Sequence, residues 1–311
     1  MASEPLLVAY RMPIVEHGDS VRSNVLSAYW ALTKPEINFL IGLATAAAFF
    51  VGCAEPLARF PWGLLVHTLF GTVLVASGAG TLNQVIEREF DAQMRRTSRR
   101  PIAAGRIEPI HALVFGILLS LVGCTYLALA VRPAASILAA LTLVCYLFLY
   151  TPLKRRTPMC TLVGAFPGAM PVLIGYVAVA GKLDSPAWIL YAILFLWQFP
   201  HFMAIAWMYR EDYARAGIRM LPVVDRSGEA TFRQILLTAM LLVPVSLLPA
   251  MVGLAGVRYF FGALVLGLAL VQVCLWAARS KTNVRAKWLM HATVLHLPLL
   301  LGLMVLDKIS R

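Results

Sequence analysis

Residues 81–101 read TLNQVIEREFDAQMRRTSRRP and gather three acidic residues and five arginines directly after an apolar run. That run, near residues 63–82, is long enough to cross the ~30 Å hydrocarbon core of a membrane as a helix. If the helix continues to residue 91, Asn83, Glu87 and Asp91 recur every four residues and form one stripe. The stretch therefore predicts both a membrane helix and a polar face at the end of that helix.

The rest of the chain is as apolar as the run before this stretch. Mean hydropathy is +0.78, and charged residues make up 14% of the 311 residues, well below the roughly 25% of soluble domains. Strands of a membrane β-barrel would be about ten residues long with alternating polarity, and the chain lacks that pattern. We therefore expect an all-α, polytopic membrane protein with nine spans, near residues 37–54, 63–82, 109–131, 133–150, 160–180, 187–208, 235–257, 259–278 and 288–306.

Basic residues are distributed unevenly between the two ends of these spans. The formal net charge is +12, and with a cytoplasmic N-terminus 21 of the 27 lysines and arginines fall on the inner side. This asymmetry follows the positive-inside rule. The charge therefore reports orientation, and no nucleic-acid partner is expected.

The segment before the first span has neither the apolar core of a cleaved signal nor the arginine-rich composition of a transit peptide. We expect a cytoplasmic segment at residues 1–36, a single membrane domain at 37–306 and an outer-side tail at 307–311. The predicted location is the inner (plasma) membrane of a bacterium rather than that of a mitochondrion, with the active site facing the cytoplasm.

Two inner loops differ from the others because both are long and rich in charges of both signs. They cover residues 83–108 and 209–234 and follow the second and the sixth span, four spans apart. The offset predicts two four-helix units with a ninth helix added. Internal repeats of this kind commonly share a site at their interface, so we expect the two loops to build one site.

The stripe of Asn83, Glu87 and Asp91 presents three oxygen-bearing side chains on one helix face. Such a set suits Mg²⁺, which takes one or two carboxylates and shares its other positions with water and phosphate. Four arginines that suit bidentate contact with phosphate follow at once; they are Arg95, Arg96, Arg99 and Arg100. Together these residues predict a diphosphate site. The alternative is that the charges anchor helix ends at the membrane interface, which explains arginines better than acids because acids add little to topology.

The loop after the sixth span supplies a second acidic motif, Glu211 and Asp212, at the same depth as the first if the bundle is symmetric. His201 lies eleven residues before Asp212, so the two share a face if the helix is continuous. A histidine within a span can be an iron ligand or can serve packing, and both readings stay open. Lys154, Arg155 and Arg156 form either a cationic lid over phosphates or a topology signal.

The NxxxExxxD stripe, the second acidic motif and the nine spans resemble the UbiA-type intramembrane prenyltransferase superfamily. Within it, three blocks are similar to the heme O synthases (protoheme IX farnesyltransferases): EREFDAQMRRTSRRP, YTPLKRRTPMCTLVGAFPGAMPVLIGY and FLWQFPHFMAIAWMYREDYARAGIRMLPVV. The likeness covers residues 31–225. This family usually has Asp where Glu87 stands, and the extra methylene of Glu changes the expected coordination.

The resemblance implies Mg²⁺-dependent transfer of a farnesyl group from farnesyl diphosphate to a vinyl group of protoheme IX (heme B), with addition of water, giving heme O and diphosphate. It implies that the metal ligands are Asn83, Glu87, Asp91, Glu211 and Asp212. All of these except Glu211 are also expected to be catalytic. It implies that the diphosphate-binding residues are Arg96, Arg100, Lys154 and Arg155, and that His201 binds heme. Expected partners are the two substrates and the lipid bilayer, with a heme A synthase or terminal oxidase assembly factors as candidate proteins.

Three alternatives remain from the sequence. The prenyl acceptor can be a quinone-ring precursor or a chlorophyllide instead of heme. A transporter of an anionic substrate would also have repeats and inner-face arginines, although it would place polar residues near mid-membrane, whereas the acids here lie at the inner ends. A non-catalytic heme-binding or assembly protein would need His201 but not the acidic stripe.

Overall fold

The computed structural model describes residues 25–308, so residues 1–24 of the expected cytoplasmic segment and 309–311 of the expected tail lie outside it. Within this part of the chain the secondary structure is helical, with no β-strand. The helices are α1 Val25–Leu32, α2 Pro35–Gly52, α3 Trp62–Asp91, α4 Pro109–Ala130, α5 Pro133–Val144, α6 Thr151–Leu153, α7 Cys160–Ala180, α8 Ser185–Met208, α9 Arg210–Arg215, α10 Leu221–Val224, α11 Glu229–Met251, α12 Val257–Ser280 and α13 Asn283–Leu306.

Nine spans are long and apolar enough to cross a membrane in this part of the chain. Eight are single helices, and the fourth, Pro133–Leu153, joins α5 to α6 through a π-helical segment at Cys145–Tyr150. The all-α, nine-span prediction is confirmed. The grouping of the spans into two four-helix units and the side of the membrane on which the chain begins stay predictions.

Proline and glycine define several helix ends, as their backbone preferences require. Pro35, Pro109 and Pro133 occupy first-turn positions, where the missing N–H has no helical partner to lose. Gly181 ends α7 with a positive φ of 72°, a conformation that only glycine adopts without strain.

The seventh span begins and ends earlier than the prediction of 235–257, because α11 covers Glu229–Met251. Glu229 looks like part of a charged loop in the sequence. In the structure, however, the Asp225 carboxylate accepts hydrogen bonds from Thr231 N–H at 2.7 Å and from its hydroxyl at 2.9 Å. This contact stabilises the first turn of the helix, so the end of the predicted 209–234 loop is helical.

The spans pack mainly against their neighbours in sequence, and α13 returns to α2 to close the bundle. Two further contacts fill its interior, between α2 and α7 and between α8 and α13. At the first of these the backbones approach so closely that a Cβ on Gly175 would lie 2.1 Å from the carbonyl oxygen of Thr45. Small residues permit this kind of approach between membrane helices.

Large apolar side chains remain exposed on the outside of the bundle, including Phe39 at 71% and Leu129 at 84%. A soluble protein rarely leaves so many apolar side chains in water, whereas lipid is a favourable surrounding for them.

Helix α3 has 30 residues, about 45 Å at 1.5 Å per residue, so its last turns reach beyond the apolar layer. We call the end of the bundle where α3 and α8 end and α11 begins the charged end.

Candidate active site

The polar stripe predicted on the second span lies on the last three turns of α3. Asn83 and Asp91 are 1% exposed and Glu87 is 8% exposed, so the face that carries them is turned into the bundle. Buried carboxylates lose their hydration and persist only when other groups compensate the charge. The partners of this stripe therefore decide whether it is stable.

Each polar side chain of the stripe binds a basic residue from a different segment of the chain. The three pairs are Asn83 Oδ1 with Lys34 Nζ at 3.1 Å, Glu87 Oε1 with Lys154 Nζ at 2.7 Å, and Asp91 Oδ1 and Oδ2 with Arg100 Nη1 at 2.8 and 2.7 Å. We call these six residues the α3 ladder. In it, three oxygen acceptors spaced along about 12 Å of helix each bind one basic side chain.

Lys34 is a site residue that the sequence analysis missed. It lies just before α2, and its backbone adopts the left-handed conformation at φ 54° and ψ 62°, which costs a non-glycine residue about 1 kcal/mol. Its burial, together with the nearby Arg100 guanidinium, lowers the pKa of Lys34 to about 7. The only local signal was a lysine directly before Pro35 at the start of a span.

Lys154 reaches Glu87 from the end of the fourth span, where the π-helical segment shifts the register of the last turn. Its ammonium lies 4.5 Å from the centroid of the Tyr150 ring. Burial lowers the pKa of Lys154, but the neighbouring Tyr150 and the Glu87 carboxylate outweigh this effect and raise the pKa above its ordinary value. The amide of Asn83 also donates to Thr151 Oγ1 at 3.3 Å, so the end of this span is attached to α3 at two points.

The second acidic motif does not continue the sixth span. Helix α8 ends at Met208, Tyr209 leaves the helical conformation at φ −107° and ψ 18°, and the motif lies on the separate six-residue helix α9. The condition for His201 and Asp212 to share a face of one continuous helix is therefore not met. Glu211 is exposed, and Asp212 forms a local ion pair with Arg215.

Arg96 connects the two acidic motifs. Its backbone N–H donates to Asp212 Oδ2 at 3.4 Å, and its guanidinium donates to the Tyr213 hydroxyl at 2.9 Å. The same guanidinium lies over the Tyr209 ring at 4.9 Å. The two charged loops therefore contact each other at the charged end through Arg96, and a shared site between them stays a prediction.

Arg155 lies at the edge of this arrangement and stacks on the Phe90 ring at 4.5 Å. With Pro152, Arg156 and Gly217 it lines an open cavity of about 390 Å³. Of the four predicted diphosphate cations, Arg100 and Lys154 belong to the α3 ladder, Arg96 joins the two motifs, and Arg155 borders the cavity beside them.

The donor set of the α3 ladder fits a metal that is shared with a substrate. Within residues 25–308 no group of three or more His, Cys, Asp or Glu side chains is close enough to hold an ion without other ligands. Mg²⁺ commonly uses only one or two carboxylates and takes its remaining oxygens from phosphate and water. The carboxylates of Glu87 and Asp91 with the Asn83 oxygen match that requirement, and the predicted five-residue ligand set stays a prediction.

His201 lies seven residues before the end of α8, about 10 Å from the charged end. Its Nδ1 is 2.9 Å from the Thr293 hydroxyl on α13, and the Trp197 ring lies parallel to the imidazole with centroids 4.9 Å apart. Two further histidines lie on α13, of which His291 is exposed and His296 is buried. The heme-binding role of His201 stays a prediction.

Comparison with known proteins places this chain among prenyl-transferring membrane proteins. Residues 35–296 match the UbiA prenyltransferase family. A protein named protoheme IX farnesyltransferase from Solibacter usitatus (strain Ellin6076) is 49% identical over 286 residues, which cover 90% of this chain and 98% of that protein.

Solved structures share the fold at low sequence identity. A structure described as digeranylgeranylglyceryl phosphate synthase has a TM-score of 0.74 and 16% identity, covering 91% of this chain and 98% of that one. A UbiA homolog from Archaeoglobus fulgidus bound to GPP and Mg²⁺ has a TM-score of 0.65 and 14% identity, covering 89% and 99%.

Proposed function

The chain belongs to the UbiA prenyltransferase family, and from that premise we propose that it transfers a farnesyl group from farnesyl diphosphate to a vinyl group of protoheme IX. Water adds in the same reaction, and the products are heme O and diphosphate. The heme acceptor is supported by the name of the relative that is 49% identical over nearly its whole length. The observation that carries the chemistry is the α3 ladder, in which three buried oxygen-bearing side chains each bind one basic residue.

The ladder suits the departure of a diphosphate from an allylic carbon. Asn83, Glu87 and Asp91 would hold Mg²⁺, with Asp212 approaching from α9, and the ion when bound would neutralise charge on the leaving group. The Archaeoglobus fulgidus structure is bound to GPP and Mg²⁺, which supports a role for this metal in the proposed reaction.

The cations of the site have a complementary role. Lys154 and Arg100 donate to the stripe oxygens at 2.7–2.8 Å, so both lie beside the carboxylates that would hold the metal and its diphosphate. Contact with the diphosphate lets them stabilise the negative charge that develops as the C–O bond breaks. Arg96 and Arg155 would bind the outer phosphate oxygens with their planar guanidinium groups.

The farnesyl cation that this cleavage leaves behind must be protected from premature reaction with water. The last turn of the fourth span supplies aromatic faces for this purpose, because Tyr146 and Tyr150 lie with ring centroids 5.5 Å apart. The Tyr150 face already holds the Lys154 ammonium, and an aromatic face stabilises a cation by the same electrostatics. The surrounding bundle excludes water from this region.

The heme would lie on the other side of the reacting carbon, among the spans, and His201 would orient it.

We also propose that the charged end faces the cytoplasm, because 21 of the 27 basic residues belong to segments on this side in the predicted topology. Cysteine substitutions at the exposed residues Arg99 and Lys182 test this orientation. A membrane-impermeant thiol reagent added to intact cells should label Lys182→Cys and leave Arg99→Cys unlabelled, and the reverse pattern would invert the topology.

The reaction is tested by incubating purified protein in detergent with heme, farnesyl diphosphate and Mg²⁺ and measuring product masses. We expect heme that carries a hydroxyethylfarnesyl group, and we expect this product to disappear when EDTA removes the metal. Product from a quinone precursor or a chlorophyllide, but none from heme, would retain the prenyl transfer and overturn the acceptor. Absence of product from every acceptor would favour the transporter.

A further inference from the structure

The environment of His201 fixes which of its ring nitrogens carries a proton. The Thr293 hydroxyl lies 2.6 Å from the Met290 carbonyl, to which it donates its only proton. It can therefore contact His201 Nδ1, at 2.9 Å, only as an acceptor. It follows that Nδ1 carries the hydrogen and that Nε2 of the neutral ring has a free lone pair.

The same threonine also controls the orientation of the imidazole. Its backbone carbonyl accepts a hydrogen bond from Trp197 Nε1 at 2.8 Å, and the Trp197 ring lies parallel to the His201 ring at an interplanar angle of 14°. One residue of α13 therefore holds the histidine through its hydroxyl and the aromatic ring beside it through its carbonyl.

This arrangement is the one that histidine ligands of metals use. A histidine that binds a metal through one nitrogen almost always donates its other N–H to an acceptor, which fixes the tautomer and raises the basicity of the ligating nitrogen. We propose that Thr293 is a positioning residue that holds His201 in the Nδ1–H tautomer and so presents Nε2 to the iron of the acceptor heme. The proposal rests on heme being the acceptor.

Two other interpretations of the contact make different predictions. If the hydrogen bond only holds α8 against α13, its loss would weaken binding of any porphyrin through a general loosening of the interface. If the iron is bound by another histidine, the candidate is His296, which is one turn further along α13, 4% exposed and without a hydrogen-bond partner at Nε2 within the described residues. The exposed His291 provides a control on the same helix.

The test compares Thr293→Val, which keeps the shape and removes the acceptor, with Thr293→Ser, which keeps the acceptor. Binding of heme and of metal-free protoporphyrin IX is titrated for each purified variant in detergent, and the iron–histidine vibration is recorded by resonance Raman. We expect Thr293→Val to lose about 10- to 100-fold in heme affinity and to shift the vibration, with protoporphyrin IX binding unchanged. Thr293→Ser and His291→Ala should resemble the unsubstituted protein.

His201→Ala provides the second measurement. We expect it to lose the iron–histidine vibration and to regain a coordinated spectrum when free imidazole is added. An unchanged spectrum in Thr293→Val, an equal loss of heme and protoporphyrin IX affinity, or loss of coordination in His296→Leu but not in His201→Ala would each overturn the proposal.

The outcome is separable from that of the proposed function. Heme farnesylation by the unsubstituted protein with no effect of Thr293→Val on the spectrum would overturn the role of Thr293 alone. Absence of heme binding and of farnesylated heme, with transfer to another acceptor, would overturn both.

Discussion

The two acidic motifs look equivalent in the sequence but have different surroundings in the folded protein. The stripe on α3 is buried, and its partners Lys34, Lys154 and Arg100 come from three other segments. In the motif on α9, Glu211 is exposed, and Asp212, whose side chain is 12% exposed, pairs with Arg215, which is 43% exposed and three residues away. Loss of one partner costs about 3 kcal/mol in a pair that is buried on both sides, whereas an ion pair to an exposed arginine is worth little because water competes for it. The fold therefore depends on the first motif far more than on the second.

The largest effect on activity is expected for Asp91→Asn. The substitution keeps the size of the side chain but removes the charge that binds Arg100 at two oxygens and that would hold Mg²⁺. We expect heme farnesylation to fall by about 100-fold or more, measured as product formed per minute by mass spectrometry. The variant should still be recovered from the membrane as folded protein, and normal turnover would contradict the assignment of the stripe.

Lys154→Met is expected to affect both stability and activity. It leaves the Glu87 carboxylate, 10% exposed at its side chain, without its cation, and loss of one partner of a buried pair costs about 3 kcal/mol. We expect a clearly lower melting temperature in detergent. The double variant Glu87→Gln/Lys154→Met should regain most of the stability but none of the activity, and an unchanged melting temperature in the single variant would show that the pair is not buried as described.

Asp212→Asn tests whether the second motif contributes less to stability than the first. Its ion pair with Arg215 is local and partly exposed, so we expect the free energy of unfolding to change by less than about 1 kcal/mol. Activity should fall by about tenfold, mainly through a higher KM for farnesyl diphosphate at limiting Mg²⁺. A stability loss as large as that of Lys154→Met would show that the two motifs are equivalent after all.

The smallest effect on activity is expected for Asp225→Ala, in the same loop as the second motif. Burial raises the pKa of Asp225, but hydrogen bonds from the backbone and hydroxyl of Thr231 outweigh this and hold the pKa below its ordinary value. The carboxylate therefore stabilises the fold above about pH 4, and this contribution is lost as the pH falls through the depressed pKa.

The variant should lose about 1 kcal/mol of stability at pH 6 with turnover unchanged, and the difference from the unsubstituted protein should shrink at lower pH. Asp225→Asn, which keeps an oxygen acceptor, is the matched control. A loss of turnover in Asp225→Ala at pH 6 would show that the active site includes the start of α11.

The length of the apolar runs was sufficient to predict the spans, and helical periodicity was sufficient to predict the polar stripe, because both depend on residues within a few turns of each other. Prediction was incomplete where a break or a cap depends on geometry that composition does not express. Tyr209 interrupts the helix between His201 and Asp212, and the contact of Asp225 with Thr231 extends the seventh span into a charged segment. Hydropathy alone places the end of the sixth span correctly at residue 208 but misplaces both ends of the seventh.

The sequence by itself determined the nine membrane helices, the charged end and the single face that carries Asn83, Glu87 and Asp91. Each of these features depends on how the residues of a single helix partition between water and lipid. Only the tertiary structure decided which cations meet that face, because Lys34 and Lys154 lie 49 and 67 residues from their partners. The contact of His201 with Thr293, 92 residues further on, was decided in the same way, since such pairs form only where helices pack.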